Sequence, residues 1–147
     1  MDPEVTLRIA LESPPPGVDF GLQKGRGANY ETVQTQRSHG GDLWFEFRVG
    51  VRGGDGRGAP DFSGPLVQGP RGGRFVYIDI GTLAGQADTP WSRRLKVPLT
   101  GIAWSTLDRL TKDARAVLET RVPGTGRDGG PSCATVKPFD GWNVTGR

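Results

Sequence analysis

The sequence predicts a mainly β domain of the α+β type. It should form an antiparallel, strongly bent sheet or small barrel of six to eight strands, with one helix packed on it. Three observations carry this expectation. Two long stretches alternate apolar and polar residues with a period of two, which a strand converts into one buried face. The 24 glycines and 12 prolines punctuate the chain at short intervals, as turns between strands require. Only one stretch shows apolar residues at helical spacing, so most strand-to-strand gaps favour hairpins over βαβ crossovers. The 147 residues suffice for a single domain spanning 1–147 with its own core.

Residues 5–12 form the first strand: Val5, Leu7, Ile9 and Leu11 share one face, and Thr6, Arg8, Ala10 and Glu12 the other. Ser13 and the prolines at 14–16 stop it, because proline has no N–H to give to a ladder. Residues 18–22 form a short second strand, followed by a basic glycine-rich loop over 23–29. In 30–36 the alternation is polar, with Tyr30, Thr32, Gln34 and Gln36 on one face. Such a strand belongs at a sheet edge or lines a polar cavity.

Residues 43–52 give the strongest strand, with Leu43, Phe45, Phe47, Val49 and Val51 against Trp44, Glu46, Arg48 and Arg52. A glycine-rich loop covers 53–60, and a short strand covers 66–68. Residues 74–82 are apolar on both faces, which suits a central strand covered on both sides. Residues 91–99 then place Leu95, Val97 and Leu99 inward, with Arg94 and Lys96 outward. The helix starts at Ser105, with Asp108 as a capping-box acid. Leu107, Leu110, Ala114, Val117 and Leu118 make its stripe, and Pro123-Gly124 ends it. A last strand covers 133–137, and Phe139 and Trp142 dock the tail on the core.

Several function classes fall away on composition. No apolar run reaches the roughly 20 residues that a membrane span needs, and Met1-Asp2-Pro3-Glu4 does not read as a secretory leader. One cysteine and one histidine make neither an internal disulfide nor a Cys/His zinc cage, so no metal and no cofactor are expected. The cytoplasm is the default location for such a chain. The net charge of +3, with 15 arginines against 4 lysines, leaves a polyanion open as a partner. The basic residues form no long run, however.

The segments GLQKGRG (21–27), TVQTQ (32–36), GDLWFEF (41–47), AGQ (84–86), WSRRLKVPL (91–99) and GRDGGPSCAT (126–135) resemble a small bacterial family catalogued as a domain of unknown function. The resemblance runs over nearly the whole chain. It implies a stand-alone bacterial domain and assigns no activity, cofactor or catalytic residue.

The candidate chemistry therefore rests on the residues. Gly25-Arg26-Gly27 is no dinucleotide loop, because Tyr30 stands at the third glycine position and a strand follows. Lys24 and Arg26 among glycines offer cations and backbone N–H groups to an anion, or form a plain hairpin loop. Cys133 needs a base to act as a nucleophile, and His39 is the only histidine. A structural, buried thiol is the competing reading. Asp79 lies on a largely apolar strand and requires a partner, with Arg93 or Arg94 as the candidates.

Tyr30, Gln34 and Gln36 suit a neutral polar ligand if their face turns into a groove; otherwise the face is simply wet. The leading expectation is a small polar or anionic ligand bound in a pocket on the sheet. Tyr30, Gln34, Gln36, Arg93, Arg94 and Asp79 would line it, and Lys24 and Arg26 would flank it. One alternative is an enzyme using Asp79 or Asp128 as acid or base, with Tyr30 or an arginine stabilising charge. Asp42 and Glu46 are further candidates for a second acid. Another is a nucleic-acid or polyanion binder that stacks bases on Trp44, Trp104 or Trp142 beside Arg48. A protein-interaction module is the remaining alternative, recognisable by an exposed apolar patch.

Overall fold

A computed structural model describes residues 3–14, 16–24, 31–53, 60–68, 76–82, 94–99, 102–113, 115–123, 133–135 and 141–146. Their element order is β1 (Glu4–Glu12), β2 (Asp19–Lys24), β3 (Glu31–Arg37), β4 (Leu43–Arg52), β5 (Asp61–Ser63), β6 (Val67–Gln68), β7 (Tyr77–Thr82), β8 (Arg94–Pro98), α1 (Trp104–Thr111), β9 (Ala116–Pro123), β10 (Cys133–Thr135) and β11 (Asn143–Gly146). The chain is mainly β with one helix among the described residues, and its mostly antiparallel strands curl strongly into a half-barrel.

The strands fall into two sheets. Sheet A has the order β11-β9-β1-β4-β5. Sheet B has the order β10-β8-β7-β2-β3, with β6 added to the edge of β7. Eleven strands among the described residues exceed the six to eight expected. The surplus consists of short pieces, such as Asp61–Ser63 and Asn143–Gly146, too brief to show an alternation.

The two strongest alternations behave as strands must. Val5, Leu7, Ile9 and Leu11 of β1 are buried, as are Leu43, Phe45, Phe47, Val49 and Val51 of β4. These strands pair antiparallel from Glu4↔Gly50 to Leu11↔Leu43. Their inner faces join Phe20 and Leu22 of β2, Ile78 and Ile80 of β7, and Val97 of β8 in one apolar cluster. The β7 strand is central, with β8 on one edge and both β2 and β6 on the other.

The predicted long helix is corrected: α1 covers only Trp104–Thr111, and Val117 and Leu118 belong to β9. An Asx turn at Asp113 intervenes, its Oδ1 accepting the Arg115 N–H at 3.0 Å. Such a turn offers the backbone an alternative to continuing the helix. Beyond it the period becomes two. Leu118, Thr120 and Val122 are buried, while Glu119 and Arg121 are half-exposed. The capping expectation also changes. The N-cap is Ala103 with no side-chain cap bond, two residues ahead of the expected Ser105. Leu107 and Leu110 remain buried as expected.

The same correction alters the pairing. β9 lies parallel to β1, from Thr6↔Val117 to Glu12↔Pro123, and β10 lies parallel to β8. Hairpins therefore do not account for every connection. At the tail, Trp142 packs on the core and donates Nε1–H to the Pro98 carbonyl at 3.0 Å. This ties the segment before β11 to the end of β8. Phe139 lies outside the described residues.

Candidate functional site

The face of sheet B turned away from the core carries the candidate site. Along β7, Ile78 and Ile80 point into the core, so Asp79 points to the opposite face, yet it is 0% exposed. This strand is thus closed off on both sides, as its two-sided apolar pattern predicted. Asp79 has an interaction partner, in keeping with the cost of burying an unpaired carboxylate.

Its neighbours form a row across four strands. Lys96 of β8 is the register partner of Asp79. On the other edge, Gln23 of β2 lies one residue past the Leu22–Ile80 pair, toward Asp79. Thr32 of β3 pairs with Gln23, and its hydroxyl donates to Gln23 Oε1 at 3.1 Å. The row therefore reads Lys96, Asp79, Gln23, Thr32. Gln68 of β6, opposite Tyr77, donates Nε2–H to the Gln23 carbonyl oxygen at 3.3 Å. This bond bridges the junction where the edge of β7 passes from β2 to β6. The Lys96 ammonium lies 5.0 Å from the centre of the Tyr77 ring, within cation–π range.

Burial sets this face apart. Gln23, Gln68 and Asp79 are all buried, and their groups offer a carboxylate, amide donors and amide acceptors together. Close packing fixes the row from below. A Cβ on Gly21 would stand 2.3 Å from Thr32 Cγ2, so the absence of a side chain there is what lets Thr32 lean over β2.

The sequence-predicted residues divide among several places. Asp79 belongs to this face. Arg94 is opposite Gly81 in the β7–β8 register. Lys24 is exposed at the end of β2, opposite Glu31. Tyr30, Arg26, Arg93 and Asp128 lie outside the described residues.

Gln34 and Gln36 sit elsewhere. Their expected common face with Thr32 is corrected, because the β2–β3 register shifts between Phe20 and Leu22. Gln34 has φ 52° at this irregularity. One extra residue on a strand reverses the phase of its alternation, so Gln36 pairs with Phe20 while Thr32 pairs with Gln23. Both glutamines reach β4 instead. Gln36 Nε2 donates to the Trp44 carbonyl at 2.6 Å, and Gln34 Nε2 to the Glu46 carbonyl at 2.9 Å.

Sequence reasoning missed Gln23 and Gln68 as members of this candidate site. The available signal was a polar residue adjoining an apolar strand segment, which no periodicity marks as buried.

The other candidates are placed as follows. His39 is exposed in the β3–β4 connection, and the Cys133 side chain lies outside the described residues. Asp42 accepts the Ser13 N–H at 3.0 Å and pairs with Arg121 at 2.7 Å. Among the described residues, no group of three or more His, Cys, Asp or Glu is arranged to hold a metal ion. No helix among them is long and apolar enough to cross a membrane.

The outer face of sheet A holds the basic and aromatic residues. Arg8 stacks 4.2 Å from the Trp44 ring centre and Arg121 5.7 Å from it. Each described arginine there also has a carboxylate: Arg8–Glu119 at 3.6 Å, Arg48–Glu4 at 3.5 Å, Arg52–Asp61 at 3.4 Å, and Arg121 with Asp42 and Glu12. A phosphate backbone would have to displace those acids. Trp104 and Trp142 pack against the core. Val144, at 46%, is the exposed large hydrophobic among the described residues, and one such residue makes no apolar patch.

At the β2–β3 end, Arg37 Nε lies 2.9 Å from Asp19 Oδ1. The hydrogen bond from Arg37 holds the Asp19 carboxyl below its ordinary range, and the same bond raises Arg37.

The model of a family of unknown function, DUF5990, matches residues 5–145, and the chain belongs to that family. No curated protein and no solved structure matches it.

Proposed function

For this DUF5990 protein we propose binding of a small polar ligand on the closed face of sheet B, around Asp79, Gln23, Gln68 and Lys96. The reading rests on one observation: three polar side chains are buried together on the face opposite the apolar core. Polar groups withdrawn from water are costly unless something pairs with them. An apolar residue at each position would close the face more cheaply. Binding sites join apolar walls to a few placed polar groups, and Ile78, Ile80 and Leu22 pack in the apolar core on the other side of the same strands. Arg94, Arg93, Tyr30, Lys24 and Arg26 remain proposed flanking residues in this reading, and the protein acts as a single domain.

Native mass spectrometry of freshly purified protein, with a denatured control, tests the proposal. The expected result is a reproducible extra mass that disappears on denaturation and is absent from a folded Asp79→Asn variant. A clean apo mass, together with no thermal shift from a panel of sugars, nucleosides and amino acids, would sink it. Turnover lost with the carboxylate while the ligand still binds would convert the binding reading into the enzyme reading.

A further inference from the structure

The two buried glutamines of sheet B point to the chemical class of the ligand, an inference that rests on the ligand reading above. Gln23 is 8% exposed and Gln68 2%, and each carboxamide is only half used. Gln68 Nε2 donates to the Gln23 backbone carbonyl at 3.3 Å. A carbonyl oxygen can only accept, so this bond fixes which way the Gln68 amide faces. Gln68 Oε1 makes no hydrogen bond among the described residues. Gln23 Oε1 accepts from the Thr32 hydroxyl at 3.1 Å, and Gln23 Nε2 likewise makes no hydrogen bond among the described residues. The bond to the Gln23 carbonyl brings the Gln68 amide to the same residue of β2 that carries the second amide. One position on β2 therefore gathers an acceptor, Gln68 Oε1, and a donor, Gln23 Nε2.

Polar atoms of side chains this buried are costly to leave unpaired. Water meets each of them singly. A ligand group that meets both must carry a donor and an acceptor together. The charges of the row narrow the choice further. Asp79 and Lys96 stand opposite each other in register, one acid against one base, and both have interaction partners. A carboxylate ligand would set a second acceptor against Gln68 Oε1 beside the Asp79 carboxylate. An amine or amidine ligand would bring a donor to Gln23 Nε2, itself a donor, and a positive charge near the Lys96 ammonium. A neutral group with N–H and C=O on one carbon satisfies both glutamines and adds no charge.

We propose that the closed face of sheet B takes its ligand by a neutral carboxamide. The ligand N–H donates to Gln68 Oε1, and the ligand carbonyl accepts from Gln23 Nε2. Gln23 and Gln68 are then specificity-determining residues. A wrong group is rejected because it leaves one buried glutamine atom facing its own kind.

The test uses three probes of one shape: acetamide, acetate and acetamidine. They present a donor with an acceptor, two acceptors, and two donors. Each is titrated into the 15N-labelled chain, to saturation or to its solubility limit, and the side-chain amide signals of Gln23 and Gln68 are followed. Acetamide is expected to move both signals and to bind about tenfold more tightly than either ion. A Gln23→Glu variant keeps an oxygen for the Thr32 hydroxyl and turns the free donor into an acceptor. It should reverse the preference, from acetamide to acetamidine. Wild-type preference for acetate or acetamidine overturns the carboxamide class and leaves the polar-ligand reading standing. If no probe moves the two signals, the inference falls, and the bound mass in native spectrometry decides the ligand reading separately. A natural ligand found there without an amide has the same effect. The wild-type ranking decides alone if the variant does not fold.

Discussion

The two sheets carry similar rows of polar side chains under opposite conditions. On sheet A the row runs Asn143, Glu119, Arg8, Glu46 across β11, β9, β1 and β4, and every member is at least partly exposed. On sheet B it runs Thr32, Gln23, Asp79, Lys96, with the middle two buried. The open row consists mainly of charges, matched by acids and bases that water also screens. The closed row keeps a carboxylate flanked by a neutral amide and an ammonium. Charges on an open face are cheap and say little about purpose. Polar groups kept in a closed face are dear, and they stay only where packing or a ligand needs them.

Four experiments break or sharpen that contrast. The largest effect should come from Gly21→Ala on sheet B. Its methyl would meet Thr32 Cγ2, and overpacking of this kind costs about 3 kcal/mol. Urea unfolding should show the lowered midpoint. Adding Thr32→Ser, which removes that methyl and keeps the hydroxyl, should restore most of the loss in a double-mutant cycle.

Asp79→Asn should come next, at about 2 kcal/mol, because the partner of a buried carboxylate loses a charge-assisted contact. If the urea midpoint stays unchanged, Asp79 is a solvated acid after all and the contrast between the faces collapses.

On sheet A, Arg8→Ala should cost only about 0.5 kcal/mol, the typical worth of an exposed ion pair. Part of that comes from lost stacking on Trp44, so Arg8→Lys should recover less than full stability. Raising salt should shrink the Arg8 effect and leave the Asp79 effect nearly unchanged.

The smallest effect concerns acid. Asp19 titrates below its ordinary value in the folded chain because Arg37 bonds to it. Its contribution is therefore fully present above the ordinary carboxylate pKa and fades as pH falls through the folded value. Carboxyl NMR titration should show the depression, and Arg37→Ala should bring Asp19 back to its ordinary range. An unchanged value in that variant would assign the depression to another cause.

Legibility in the sequence followed the same divide. β1 and β4 were readable almost to the residue, because each is open on one side and buried on the other, and that asymmetry writes a period of two. α1 and β9 were fused into one helix. Leu107, Leu110, Val117 and Leu118 fit a helical stripe, and nothing in that stripe shows that Asp113 turns the chain. The candidate site was legible only at Asp79, where an acid stands out among Tyr77, Ile78 and Ile80. Gln23 and Gln68 join the candidate row through pairing with strands far along the chain, which no local pattern records. Gln34 and Gln36 looked like a ligand-facing pair, because alternation assumes an unbroken strand and the irregularity near Gln34 breaks it.

The parallel pairing of β1 with β9 has a kinetic consequence. β1 is an interior strand of sheet A, yet its β9 neighbour, beginning at Ala116, lies more than a hundred residues later. Translation at roughly 5–20 residues per second leaves β1 one-sided for on the order of 5–20 s, with only β4 to pair with. Contacts this distant in sequence also slow folding after release. During that interval the edge bearing Arg8 and Glu12 is the nascent chain's own aggregation hazard. Their charges keep it apart from neighbouring nascent chains until β9 arrives.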